Sequence, residues 1–379
     1  PSTINWHGIR IANAMDGVPD VTQSAVPPEG DFLYDFVPPD AGTYWYHPHN
    51  RTWEQMARGL YGALIVEEAS PPVVDRDEVL LVDDWRLAQD ATVAEDFGAM
   101  MDWSHTGRIG NWITVNGNGA YRLKTARNER LRLRLANTAN ARTFVLDLMG
   151  VEGWVVALDG QPLLEPEVAG RIILTPAQRA DLIVDVTGTP GSEAGLISVE
   201  RDGGYSIGAF DIGESARENR LQAPSPLTPN PVRAPGPLGN ARKVRLHMEG
   251  GAMGGMRGAR MDGRMMGMRE LVNAGKVWAF NGQANMPDAP LVTASAGEPV
   301  RIEMINDTAW PHAMHLHGHH FQRVTDGKAV GPLRDTLLVD ANGTDEIAFL
   351  ADNPGDWLLH CHMLEHSASG MMTWLRVTG

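Results

Sequence analysis

"GTYWYHPH" at residues 42–49 and "GDWLLHCH" at 355–362 align without a gap, from the shared opening glycine to the shared closing His-x-His. Each follows a second shared frame, Asn5-Trp6-His7-Gly8 in one case and His315-Leu316-His317-Gly318 in the other. Asn5 lies 42 residues before His47 and His315 lies 45 before His360, so the two regions read as copies of one unit. A third copy of the frame, "DLMG" at 147–150, places Asp147 and Met149 at the equivalent positions. "VNGNG" at 115–119 and "FNGQA" at 280–284 stand about thirty residues ahead of the second and third frames. Self-similarity of this kind marks a repeated domain.

Between the frames the chain is punctuated by short apolar or alternating runs: "EVLLV" at 78–82, "RLRLRL" at 130–135, "RIILT" at 171–175, "DLIVDV" at 181–186 and "PVRIEMI" at 299–305. Period-two patterns bounded by Gly, Pro, Asn and Asp are strand signals. Long amphipathic helices are few, so an all-β chain of sandwiches or barrels is expected. A Pro-rich stretch at 221–240 reads as a linker, and Pro71-Pro72 as an earlier boundary. The expected division is 1–72, 73–222, a linker at 223–239, and 240–379. The first unit has four residues before its frame and the third about seventy-five, so the first is expected to be N-terminally truncated. Such a sandwich exposes strand edges, which implies an oligomer or a separate segment covering the gap.

The bulk numbers exclude some partners. A formal charge of −15 over 379 residues argues against nucleic acid, whose phosphates need basic patches. No run of eighteen apolar residues appears, so no membrane span is expected. No leader peptide is visible either. Cys361 is the single cysteine and leaves no intrachain disulfide.

Residues i and i+2 of a strand point the same way. His47/His49, His315/His317 and His360/His362 are therefore each expected to present two imidazoles to one site, with residue 5 as partner to His7. Three such pairs and a half-pair, placed symmetrically in two copies of a domain, point to a metal. "HCHMLEHSASGMM" at 360–372 says which one. Cys361 points away from its histidine neighbours and belongs to a second site, with His366 and Met371 downstream and His312 upstream. Two imidazoles, a thiolate and a thioether form the His₂Cys set with axial Met of a blue electron-transfer copper, and the thioether argues against zinc.

These motifs, in this order and spacing, resemble those of multicopper oxidases of the laccase and bacterial cuprous-oxidase type, across essentially the whole chain. The resemblance implies three cupredoxin-like Greek-key β-sandwich domains and four copper ions. By position His312, Cys361, His366 and Met371 match a type 1 copper site. His7, His47, His49, His317, His360 and His362 match the type 3 ligands, and His315 one of two type 2 ligands. Asn5 stands where both the family and the internal repeat put the other type 2 histidine. An amide oxygen is a poorer donor to divalent copper than imidazole nitrogen, so a weakened or empty type 2 site is expected. Asp16 resembles the family's acid beside the cluster, against the alternative of an ordinary Asp-Gly turn. Ser367 sits where some cuprous oxidases carry an acid.

Residues 248–268 hold seven of the eighteen methionines and seven glycines. This segment resembles the Met-rich segments of copper-tolerance oxidases, and thioethers suit Cu(I). The competing reading is a mobile linker with incidental methionines, and Arg257, Arg260 and Arg264 repel a cation. Three functions follow. One is an oxidase that takes single electrons from phenolic or cuprous substrates at type 1 copper and gives four to dioxygen, impaired by Asn5. Another is a copper-binding or electron-transfer protein with a defective oxygen site. The third, a redox-silent scaffold, leaves the surviving type 1 set unexplained. The resemblance implies a periplasmic or secreted location.

Overall fold

In "RLRLRL" the alternation produces a strand, Arg130–Asn137, buried on both faces. Leu131, Leu133 and Leu135 enter a core of 22 buried residues. The arginines face the other way, where a period-two reading places solvent, yet Arg130, Arg132 and Arg134 are each at most 3% exposed. Buried charge must be paired, and it is. Arg130 forks onto Asp185 at 2.7 and 2.8 Å, Arg132 reaches Glu68 at 2.7 Å and Asp181 at 2.6 Å, and Arg134 forks onto Asp77. Glu68 and Thr43, which accepts from Arg134 at 3.0 Å, come from the N-terminal segment. This ionic face joins that segment to the rest of the molecule.

The computed structural model describes residues 1–379. Ile4–His7, Gly42–Pro48 and Gly62–Val66 make an antiparallel three-stranded sheet. Residues 76–215 form facing six- and five-stranded sheets, and residues 242–378 another six- and five-stranded set plus a two-stranded hairpin. Non-sequential neighbours, such as Arg76–Trp85 lying parallel to Arg130–Asn137, show the crossovers of Greek-key sandwiches. Helices are of three to six residues, and none is long and apolar enough to cross a membrane. Residues 27–41 lie outside every sheet, with Tyr34 and Phe36 packed edge-on against Trp6 at 5.5 and 5.1 Å.

The Met-rich segment carries regular structure where the competing reading had a linker. Gly258–Met261 pairs with Arg264–Gly267 as a hairpin, followed by the helix Met268–Asn273. Met266 is buried in a small cluster with Ala259, Leu271, Ala279 and Ala284, and Met248 lies in the main C-terminal core. Gly263 at φ +75° makes the tight turn, so glycine here serves the hairpin. Met253 and Met265 remain largely exposed.

A buried acid pair, Asp83 and Asp84, sits where the N-terminal sheet meets the central sandwich. Asp83 accepts from the Tyr61 hydroxyl at 2.5 Å, and Asp84 from Arg142 at 2.8 Å. Burial pushes the Asp83 carboxyl up to about 8. The folded protein thus holds a proton that the unfolded chain releases above its ordinary value of 3.8. Against the opposite slope of the buried histidines up to about 6.5, the contribution of Asp83 to stability therefore falls as pH rises from about 4 to about 8, by ~1.4 kcal/mol per pH unit for one proton. Asp83→Asn is expected to flatten that slope, measured as urea midpoints across the same range.

Candidate metal centres

The repeat in the sequence is a repeat in register. Asn5 pairs with His47 across the N-terminal sheet as His315 pairs with His360 across the C-terminal one. The strand ends carrying these residues meet between the N-terminal sheet and the C-terminal sandwich, and their side chains form three groups of potential ligands: His7, His47 and His362; His49, His317 and His360; His312, Cys361 and His366. The expectation that each His-x-His serves one site is corrected here. His47 and His49 go to different groups, as do His360 and His362. Each ring is turned to a different neighbour: His47 Nε2 lies 3.4 Å from His362 Nε2, whereas His360 Nε2 lies 3.2 Å from His317 Nε2.

The donor set fits metal. His317 Nδ1–H donates to Asp16 Oδ2 at 2.9 Å and His360 Nδ1–H to the Cys361 carbonyl at 2.9 Å. Both Nε2 atoms are then bare acceptors, facing each other at 3.2 Å. In the other triad His47 Nδ1–H donates to the Pro48 carbonyl at 3.0 Å, which bares its Nε2 toward His7 Nδ1 and His362 Nε2, both at 3.4 Å. Facing lone pairs repel unless a cation lies between them. Around Cys361, His366 Nε2–H donates to the His105 carbonyl at 2.6 Å and His312 Nε2 contacts Thr308 Oγ1 at 2.9 Å. The two Nδ1 atoms are 3.1 Å apart, with Cys361 Sγ 3.7 and 3.8 Å away. Met371 is fully buried in the same core cluster, and its carbonyl accepts from the Cys361 amide at 3.1 Å.

Burial sets the protonation of these groups. It holds His7, His47, His49, His312, His317, His360 and His362 well below the usual imidazole range, and His366 at about 4. Neutral imidazoles accept metal without first losing a proton. Burial pushes the Cys361 thiol up to about 12, so it stays protonated until a metal takes the proton's place.

Asn5 and Asp16 lie together, buried, at the edge of this cluster. Asn5 Nδ2 donates to the Asp16 carbonyl at 2.7 Å and to Asp16 Oδ1 at 3.0 Å, while Asn5 Oδ1 is buried without a protein partner. Burial pushes Asp16 up to about 7, against the lowering effects of His315 and Asn5. His315 stacks on His7 at 3.8 Å between ring centres. The middle copy of the frame does not join: Asp147 pairs with Arg171 at the surface, and Met149 is exposed.

Four features escaped the sequence reading: Asp335, Arg179, Thr308 and the His105 carbonyl. Asp335 Oδ1 lies 3.5 Å from His7 Nε2, and its carbonyl accepts from His315 Nδ1 at 2.9 Å. Burial alone raises its carboxyl, but the Arg179 guanidinium beside it, with His315 and His7, holds it well below the carboxylate range. His7, His315 and Asp335 form a fourth potential ligand group, but Arg179 already occupies both oxygens of that carboxylate. A charged residue at the edge of an apolar run, as in "RDTLLV" where Asp335 stands at the bend between two strands, was the available signal.

Comparisons with known proteins agree with this geometry. Sequence models described as multicopper oxidase match residues 1–71, 76–193 and 263–379. The "Multicopper oxidase MmcO" of Mycobacterium tuberculosis is 28% identical over 407 residues, spanning 99% of this chain and 76% of that protein. The crystal structure of a multi-copper oxidase from Pseudomonas thermotolerans superposes with a TM-score of 0.83 at 31% identity, covering 100% of this chain and 86% of the other. Lac15, from a marine microbial metagenome, gives 0.77 at 41% identity, covering 99% and 85%.

Proposed function

Since this chain belongs to the multicopper oxidase family, we propose that it oxidises phenolic or cuprous substrates one electron at a time and passes four electrons to dioxygen, forming water. His312, Cys361, His366 and Met371 would hold the type 1 ion. The two histidine triads would hold the type 3 pair, and His315, with Asn5 opposite, the type 2 ion. Copper in these sets supplies the one-electron redox couple that the side chains lack.

The chain's own atoms do the rest. Cys361 is bonded through single peptides to His360 and His362, whose Cα atoms each lie ~3.8 Å away. That makes a short covalent path between the first set and both triads. Asp16, held by Asn5 and bonded to His317, orients that ring beside the triads. Ser367 Oγ contacts His360 Nδ1 at 3.3 Å, where it orients the ring but carries no acid. Thr308 and the His105 carbonyl fix the two imidazoles beside Cys361.

The His105 carbonyl also links the buried set to the surface. The Ser104 carbonyl, one residue before, accepts from the Ala252 amide at 2.7 Å, and the Ala252 carbonyl accepts from the Trp310 indole at 3.0 Å. The exposed Met253 follows directly, and Met101 is exposed on the adjacent helix. This methionine surface favours a cuprous substrate. We place the protein in the periplasm or outside the cell by the same family resemblance, and divide it into domains at 1–72, 73–222 and 240–379.

The observation carrying this reading is the pair of histidine triads joined to a buried His₂Cys set by one tripeptide. Its test is copper per chain together with electron paramagnetic resonance of the loaded protein. A type 1 signal, spin-silent type 3 copper and a type 2 signal well below one per chain are expected. Absence of blue absorption, or uptake of no copper, would overturn the reading. The second reading, a copper-binding electron-transfer protein, rests on Asn5. It gains if the loaded protein is blue yet consumes no oxygen. Stripping copper with a chelator is expected to lower the melting midpoint, because the ligand groups converge only in the folded chain.

A further inference from the structure

The central sandwich holds no histidine triad, yet it reaches the triads through one side chain. Arg179, at the start of the strand Arg179–Val186, is fully buried. Its guanidinium forks onto Asp335, Nη1 to Oδ1 at 3.0 Å and Nη2 to Oδ2 at 2.6 Å. It also donates from Nε to the Thr43 carbonyl at 3.3 Å and from Nη1 to the Ala177 carbonyl at 3.0 Å. One side chain thereby ties the N-terminal sheet, the central sandwich and the C-terminal sandwich together. Asp335 is further fixed by Thr336 Oγ1, which donates to Oδ1 at 2.8 Å.

The anion so held faces the Nε2 edge of His7 at 3.5 Å. An anion at that edge favours the proton on Nε2 and leaves Nδ1 bare, and Nδ1 is the atom turned toward His47 in the triad. The glycine of "NWHG" has its reason here. Gly8 sits at φ +84°, and a Cβ on it would lie 2.3 Å from Arg179 Nη2 and 2.5 Å from Asp335 Oδ2. The ion pair passes directly beside the backbone that carries His7, and only glycine leaves room.

We propose that Arg179 is a positioning residue of the oxygen-reducing centre: from the central sandwich it locks Asp335 against His7 and so decides which ring nitrogen His7 offers to metal. This rests on the copper reading of the triads given above. The side chain acts by orientation and takes no part in the chemistry.

The test uses Asp335→Asn, Arg179→Met and the double variant, which removes both buried charges together. Copper uptake is followed by dialysis against graded free copper, with blue thiolate absorption as a separate count of the type 1 ion. In the copper-free protein, nitrogen NMR reads the His7 tautomer. The expected result is ~10–100-fold weaker copper binding beyond the type 1 ion, blue absorption per chain unchanged, and loss of the Nε2–H tautomer of His7. Arg179→Lys, which keeps the charge without the fork, should fall between parent and Arg179→Met. Should a single variant fail to fold, the double variant gives the same readout. Full copper uptake by folded variants, with His7 still protonated on Nε2, overturns the inference. So does parallel loss of blue absorption and triad copper in the double variant, since that describes general packing. A parent that takes up only type 1 copper sinks the trinuclear reading and this inference with it. A fully loaded parent beside fully loaded variants overturns this inference alone.

Discussion

Asn5→His is expected to raise oxygen uptake per type 1 copper by about tenfold or more, the equivalent of ~1.4 kcal/mol in the limiting barrier. The argument is geometric. Asn5 occupies the same register opposite His47 that His315 occupies opposite His360, at the end of an equivalent strand pair. On the copper reading the backbone of a type 2 ligand is therefore in place, and only the ring is missing. Asn5 also spends its amide hydrogens on Asp16, so the substitution frees that carboxyl as well as adding a nitrogen donor. A type 2 resonance should grow alongside oxygen uptake, with blue absorption unchanged. Growth of the resonance without faster uptake would show that the second ligand binds copper but does not limit turnover. Unchanged resonance and uptake would remove Asn5 from the account of impairment.

Cys361→Ser is expected to abolish the blue absorption and to lower substrate-driven oxygen uptake at least about a thousandfold, ~4 kcal/mol. A hydroxyl replaces the soft thiolate with a hard, weakly acidic oxygen, which is poorly suited to copper. It also adds a polar group where Cys361 is wholly buried among Met314, Leu359 and Met371, at a cost of about 1–3 kcal/mol of stability. His360 and His362 point away from the Cys361 side chain into the triads. Triad copper should therefore remain when total copper is counted. Loss of copper from all sites would show instead that the HCH tripeptide cannot be altered locally.

How much of this was legible depended on the kind of residue. Histidine is scarce enough that His-x-His pairs stand out, and the duplicated frame tied them into one cluster before any fold was known. The β class followed from period-two runs, which local sterics enforce. The charged residues were hidden by that same periodicity. Arg130, Arg132 and Arg134 alternate with leucines just as an exposed face would, and only the acids brought over by Glu68, Asp77, Asp181 and Asp185 make the face an interior one. Arg179 and Asp335 are 156 positions apart, and nothing local announces their meeting. The Met-rich segment misled in the opposite direction, because its glycines serve a hairpin turn and its buried methionines a small core of their own.

The division of His47/His49 and His360/His362 between two triads has a consequence for how the centre fills. The strand repeat acts as a ruler, so on the copper reading the distance between neighbouring ions would be set by backbone pleat as much as by any ligand. Fixing His47 in one triad also fixes the peptide that carries His49 into the next, and the same holds across Cys361. On the copper reading a second ion would arrive at rings already ordered, at a lower entropic cost than the first. Copper titration of the two triads is therefore expected to show few half-filled molecules, and independent filling would show that ring ordering does not outweigh the repulsion between the ions.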